Sequence, residues 1–245
     1  MKLLIDAGNT RIKWQLRAHG ELVRKGYATL SENGGSHDWE PWADSIEDIA
    51  VSTVISEAGR QQLQVGLEDT CSAPVTFHWA ESRRGKLINA YGDVRRMGAD
   101  RWHAMCGAWR VTGAGGFAVV DAGSAITVDY VARSGAHLGG YILPGKQMML
   151  RSLKQDAARI GFDSLDAEYG SPGASTTECV QHGLVWLREA MVKRIHQDCS
   201  ALGLDQVVVT GGDASGLMVA GLSAAHDPYL VLNGLAAVDE GWEPE

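Results

Sequence analysis

The chain has 245 residues, with 22 Lys and Arg against 30 Asp and Glu, a formal net charge of −8, and 45% hydrophobic residues. That composition builds one large domain or two ordinary ones, and its negative field excludes an electrostatic grip on nucleic acid or an anionic membrane. A small anionic ligand remains possible, because a few backbone N–H groups and one lysine hold phosphate locally.

In chain order, residues 2–5 and 11–17 read as strands joined by Ala7-Gly8-Asn9-Thr10, with a further turn at 17–22 and a strand at 22–28. Strands are expected again at 49–54 and 74–79. Residues 99–111 place Trp102, Met105, Cys106 and Trp109 at helical spacing, as one apolar stripe. The glycine-rich GAGG at 113–116 marks a linker, so two α/β halves are expected, 1–114 and 115–245. The second half then repeats the first. A strand at 117–121 leads into Ala122-Gly123-Ser124-Ala125, followed by strands at 126–132 and 137–143. Strand order, turn lengths and an Asp-x-Gly corner recur, which is the mark of a duplicated supersecondary unit. A long amphipathic helix is expected over 176–199, with Thr176 or Thr177 capping it, and a β-branched strand from 205 runs into Gly211-Gly212.

The four cysteines, Cys71, Cys106, Cys179 and Cys199, are scattered, without C-x-x-C spacing or a histidine at metal distance. Free thiols in a reducing compartment are expected. The first apolar run, Leu3-Leu4-Ile5, is too short for a signal peptide, and no run approaches a membrane span. The expected location is the cytoplasm, with neither membrane nor nucleic acid as partner.

Three places can carry chemistry. At each Asp-x-Gly corner a glycine without Cβ lets backbone N–H groups approach an anion, Asn9, Thr10 and Ser124 add side-chain donors, and the Asp can hold a hydrated cation on phosphate oxygens. Lys13 can neutralise a transferring phosphoryl group. A single such corner is an ordinary hairpin turn; two in matching contexts favour phosphate. Gly98-Ala99-Asp100-Arg101 stands at the start of the Trp-rich helix, where Asp100 can accept a hydroxyl proton and Arg101 can fork a carboxylate. The same residues also read as a charged capping turn. Residues 140–147 fit G-x-x-x-x-G-K but end in Gln147 and contain Pro144, which removes the magnesium-binding hydroxyl and the loop of a Walker site.

Taken together and in order, DAGNT with Lys13, Tyr91, GADR, DAGSAITVD, GGYILPG, TTECVQHG and VVVTGG resemble the type III pantothenate kinases, a family that includes proteins called Bvg accessory factors. The resemblance implies two ribonuclease H-like domains of the acetate and sugar kinase/Hsp70/actin type, with ATP between them. It implies that Asp6, Ala7, Gly8, Asn9, Thr10, Arg11, Ile12 and Lys13, together with Ser124, bind ATP with Mg²⁺. Asp121 would bind a monovalent cation, K⁺ or NH₄⁺. Tyr91, Gly98, Ala99, Asp100, Arg101 and Thr176 would contact pantothenate, with Asp100 as proton acceptor and Thr176 closing the site across a homodimer. The family usually writes Thr where Ser124 stands, and a small residue at Cys179. The expected reaction is transfer of the γ-phosphoryl group to the primary hydroxyl of pantothenate, giving 4′-phosphopantothenate towards coenzyme A. The competing expectations are a catalytically silent kinase-like module acting as a regulatory accessory factor, or a kinase of the same fold for another small hydroxylated substrate.

Overall fold

The computed structural model describes residues 1–29, 39–113, 115–157, 160–163 and 171–245. Backbone contacts divide the chain into two compact units. The first comprises Met1–Ala114, Ser134–Gly139 and Tyr229–Glu245; the second comprises Gly115–Arg133 and Gly140–Pro228. The single cut expected at 114/115 is therefore accompanied by two returns of the chain to the first unit. The C-terminal return is made by a helix that packs on the first unit's own helix and sheet, as described next.

The first unit is built on five strands: β1 (Lys2–Ala7), β2 (Arg11–Ala18), β3 (Glu21–Thr29), β4 (Asp48–Thr53) and β5 (Val75–His78), in the order β3-β2-β1-β4-β5. The first three form an antiparallel meander, and β4 and β5 continue in parallel to β1. His19 and Gly20 close the β2–β3 turn with φ of 52° and 81°, the paired positive values that a two-residue hairpin turn requires. Between β4 and β5 runs α1 (Glu57–Thr70), whose start is capped by Ser56 accepting from the Gly59 amide. One face of the sheet buries Leu3, Ile5, Trp14, Leu16, Ile49 and Val51 against Leu63 and Leu67 of α1 and against Trp39. The chain then makes two short strands, β6 (Arg83–Arg84) and β7 (Leu87–Ile88), before α2 (Ala99–Thr112).

Helix α2 is buried nearly all round, from Arg101 to Trp109, rather than along one stripe. Its cover comes from α6 (Leu230–Asp239), far along the chain, whose Leu232, Leu235 and Ala236 also seal Leu4 and Ala50 on the second face of the sheet. The two helices cross at backbone contact. A Cβ on Gly107 would stand 2.4 Å from the Leu230 carbonyl oxygen, and one on Gly234 would collide with the carbonyl oxygen of His103. Trp102 and Trp109 are thus core of this unit, so they provide no surface for a second copy.

The second unit repeats the plan with β8 (Phe117–Ala122), β9 (Ala125–Val131), β10 (His137–Pro144), β11 (Gln206–Thr210) and β12 (Ala225–His226), in the order β10-β9-β8-β11-β12. Strand β9 is antiparallel to β8, whereas β11 and β12 extend the sheet in parallel. Helix α3 (Lys146–Asp156) begins directly after Gly145, so the GYILPGKQ stretch is strand end and helix start, with no phosphate loop. Helix α4 (Thr176–Leu202) lays Val192, Ile195 and Cys199 on the sheet, joined by Ala214 and Leu217 of α5 (Ala214–Val219). The cap of α4 is Ser175, which accepts from the Glu178 amide, in place of the expected Thr176 or Thr177. Position N-cap requires extended backbone, and Ser175 is the last residue that has it.

Candidate active site

The first corner grows from β1–β2 pairing. Asp6 and Lys13 are direct cross-strand partners, as are Ala7 and Ile12, so the acid and the base share one face. The turn is closed by the Gly8 amide donating to the Arg11 carbonyl at 3.1 Å. Asn9, Thr10 and Arg11 are exposed at its tip, whereas Ala7 and Ile12 turn into the core and act as its footing. Of the run assigned to ATP, those two side chains therefore support the corner instead of facing outwards. The corner is fixed from beside: the Ala7 carbonyl accepts from the Thr53 hydroxyl at 3.1 Å and from the Val54 amide at 3.4 Å.

The same segment, the end of β4, carries the third expected place. A Cβ on Gly98 would lie 3.4 Å from a methyl of Val54, so the start of α2 rests on the residue that holds Ala7. Gly98 is the N-cap, and the Asp100 carboxylate folds back over it, accepting from the Arg101 amide at 2.7 Å. A Cβ at Gly98 would come within 2.5 Å of Oδ1 of Asp100, so glycine is what leaves room for that carboxylate. The position, in the first turn of a helix, favours negative charge.

Arg101 is buried, with its guanidinium donating to the Tyr91 hydroxyl at 2.8 Å and lying over the ring at 5.6 Å. Tyr91 is oriented by its amide bond to Asn89 and by His137, whose ring is nearly parallel at a centroid distance of 6.5 Å. His137, in the segment that returns to the first unit, escaped sequence reading because nothing local in HLGGYIL distinguishes it from a strand residue. Asn89 likewise escaped; it donates to the Glu81 carbonyl and pins the turn. Within the first unit Asp6 and Lys13 pair at the corner, Arg101 meets Tyr91, and Gly98 at the start of α2 packs on Val54, whose amide holds the corner.

In the second unit Asp121 and Ser124 occupy the matching corner. Here Gly123 donates to the Ala125 carbonyl at 3.0 Å, and the turn between strands is one residue shorter than in the first unit, so turn lengths do not repeat. Opposite Asp121 stands Thr127, where the first corner has lysine. The Ala122 carbonyl accepts from the Asp213 amide at 2.9 Å, as Ala7 accepts from Val54. Gly211 makes this possible: at φ 95°, its Cβ would strike the Ala122 carbonyl and Oδ1 of Asp121. A cavity of about 720 Å³ adjoins this corner, with Ala122, Asp213, Ser215, Arg188 and Tyr130 among its walls. Thr176, exposed at the first position of α4, does not line that cavity but a separate recess with Leu153, Gly173 and Cys179.

Among the described residues no three His, Cys, Asp or Glu side chains cluster as a metal site. Single carboxylates at the two corners fit a cation held mainly by phosphate oxygens, the usual manner of Mg²⁺ with nucleotides. Among the described residues no helix is long and apolar enough to cross a membrane.

Two ribonuclease H-like halves, each with an Asp-x-Gly corner between its first two strands, define the acetate and sugar kinase/Hsp70/actin class. The structure of a conserved Baf-family protein from Campylobacter jejuni has that fold; it superimposes with a TM-score of 0.59 at 22% identity, covering 97% of this chain and 98% of that one. A model of the type III pantothenate kinase family matches residues 2–198. The type III pantothenate kinase of Marinobacter nauticus is 54% identical over 245 residues, covering 97% of this chain and 98% of the relative. That of Teredinibacter turnerae is 36% identical, covering 98% and 99%. The chain belongs to the type III pantothenate kinase family.

Proposed function

We propose that this chain phosphorylates pantothenate with ATP by means of the two corners and the Gly98–Arg101 cluster, with Asp100 as proton acceptor. The reaction itself, an ATP-dependent kinase step in coenzyme A biosynthesis, comes with the family. The observation that carries the site assignment is the packing of Gly98, which caps the helix of Asp100, against Val54, whose amide holds Ala7 of the first corner, within one unit.

In this reading the Asp6–Lys13 run receives the phosphates of ATP. Lys13 offsets the negative charge of the transferring group, while exposed Asn9, Thr10 and Arg11 surround it. Ser124 adds a hydroxyl to ATP. Asp6 would hold Mg²⁺, which would supply positive charge against the phosphates; Asp121 would hold the monovalent cation, K⁺ or NH₄⁺. Arg101, held by Tyr91, binds the carboxylate of pantothenate, and Gly98 and Ala99 contact the same substrate. The primary hydroxyl loses its proton to Asp100 as its oxygen bonds to the γ-phosphorus and the bond to the ADP oxygen breaks. A loose transition state makes positioning and charge neutralisation the larger contributions.

Thr176 would reach pantothenate from the other copy of a homodimer. Support for a dimer comes from Tyr141, Ile142, Trp186 and Leu187 of the second unit, large apolar side chains left 43–64% exposed. Sedimentation at micromolar concentration tests this: a species of twice the 26.3 kDa chain mass is expected, and a monomer removes the role of Thr176.

A coupled assay of ADP release with pantothenate and a panel of small alcohols tests the function, with the product identified by mass. Pantothenate-dependent turnover is expected. Turnover on another alcohol alone would transfer the reading to a different substrate, and none at all would favour a silent accessory module.

A further inference from the structure

The row that crosses the first sheet at its corner end contains two residues that no role above uses, Ser52 and His78. Lys13, Asp6, Ser52 and His78 are register neighbours along β2, β1, β4 and β5, and so share a face of the sheet. Against that face lies His103, on α2 one turn after Asp100. It is completely buried, and its Nδ1 is 2.7 Å from the Ser52 hydroxyl oxygen. Its other nitrogen, Nε2, is buried without a hydrogen-bond partner among the described residues. The contact with Ser52 is therefore what justifies an imidazole here; without it, an apolar side chain would fill the space at lower cost. Burial beside His78 and Arg84 holds the ring neutral, so the contact is a hydrogen bond between two neutral groups.

Its placement explains what such a link does. Packing secures α2 along most of its length, through Trp102, Met105 and the glycine crossing with α6. Packing tolerates small slides along the helix axis, whereas a hydrogen bond of fixed length does not. A side-chain hydrogen bond joins His103 of α2 to Ser52 of β4, the direct neighbour of Asp6. One turn back along α2 stands Asp100.

We infer that His103, acting through Ser52, is a positioning residue for phosphoryl transfer: it sets the height of α2 on the sheet, and so the distance of Asp100 from the Asp6–Lys13 corner. This rests on the reading of Asp100 as proton acceptor. Displacing reacting groups by about 1 Å costs on the order of 10²-fold in rate, so a partial slide costs about tenfold.

The test is a steady-state comparison of four variants of the full chain, with Asp100→Asn run alongside. His103→Leu and Ser52→Ala should each lower kcat about tenfold while the KM for ATP stays within about twofold. His103→Asn, which keeps a polar atom where Nδ1 stands, should recover most of the rate. The double variant His103→Leu/Ser52→Ala should be no slower than either single one, since both remove the same bond. Should His103→Leu fail to fold, Ser52→Ala, which deletes only one oxygen, carries the comparison. Unchanged kcat in Ser52→Ala, losses that multiply in the double variant, or an asparagine variant as slow as leucine would overturn the link. A purely structural role would lower the melting temperature without separating kcat from KM. An active Asp100→Asn enzyme breaks the proton-acceptor reading instead, whatever the other variants do.

Discussion

The two corners share a backbone and differ in charge. Both place an Asp at the end of the first strand, both close with a glycine amide donating across the turn, and both have the following alanine carbonyl gripped by the segment after the parallel neighbour strand. Across from the Asp, however, the first corner sets Lys13 and the second Thr127. The first also leans on α2 with Asp100 and Arg101; the second leans on Asp213 and the start of α3, where Gly145 donates to the Ser124 carbonyl. The same frame thus occurs twice with different side chains. In the proposed function the corner with the lysine would receive the phosphates and carry the chemistry, and the other would add the Ser124 hydroxyl and the monovalent cation.

The sharpest way to break this division is to exchange the residues opposite the two aspartates. Lys13→Met should lower kcat/KM by roughly 10²–10³-fold, as expected on removing a preorganised charge from the transferring group, whereas Thr127→Val should change it less than about threefold. Equal losses at both would mean the corners are functionally alike.

Acid should also separate the units. Burial, with the charges of His78 and Arg84 adding to it, depresses the His103 pKa from 6.5 to about 3. Between those values the unfolded chain binds a proton that the native first unit refuses, so stability falls as pH falls, by up to about 1.4 kcal/mol per pH unit from this group alone. The contribution is complete above about pH 6.5 and lost towards pH 3. Denaturant titrations at pH 7 and pH 5 should show the drop in the parent and a smaller one in His103→Asn. A parallel decline in both would assign the acid sensitivity elsewhere.

A smaller effect is expected at the second carboxylate. Asp121→Asn should reduce turnover about tenfold and abolish the preference for K⁺ over Na⁺. A preference that survives the substitution would remove the cation from this corner.

The smallest effect sharpens the view of the corners as ligand surfaces. Neither Gly8 nor Gly123 has positive φ, and an added Cβ meets nothing closer than 3.4 Å at either. Alanine should therefore leave stability within about 1 kcal/mol, as for an unstrained site, and raise the KM for ATP a few fold. A large loss of stability instead would show that the fold, not the nucleotide, demands glycine.

Much of this was legible in the residues, because the meanders follow local pattern. Strand alternation and the repeated Asp-x-Gly located both corners, and a glycine before Asp100 marked the start of α2. What the pattern could not convey came from distant partners. Helix α2 reads as a one-sided stripe because α6, far along the chain, buries its other sides. Helices α1, α3, α5 and α6 were unread: α6 is apolar almost all round, and α3 starts where Pro144-Gly145 suggested only a turn. His137, Asn89 and His103 gain meaning only from Tyr91 and Ser52, which sequence spacing does not connect to them.

The central claim is that Asp100 takes the proton while the corners hold ATP, and one variant measures it most directly. Asp100→Asn, nearly identical in shape, should lower kcat by about 10²–10⁴-fold, the usual range for losing a general base, while ATP binds with unchanged affinity by calorimetry. Turnover near the parent rate with intact ATP binding would contradict the account.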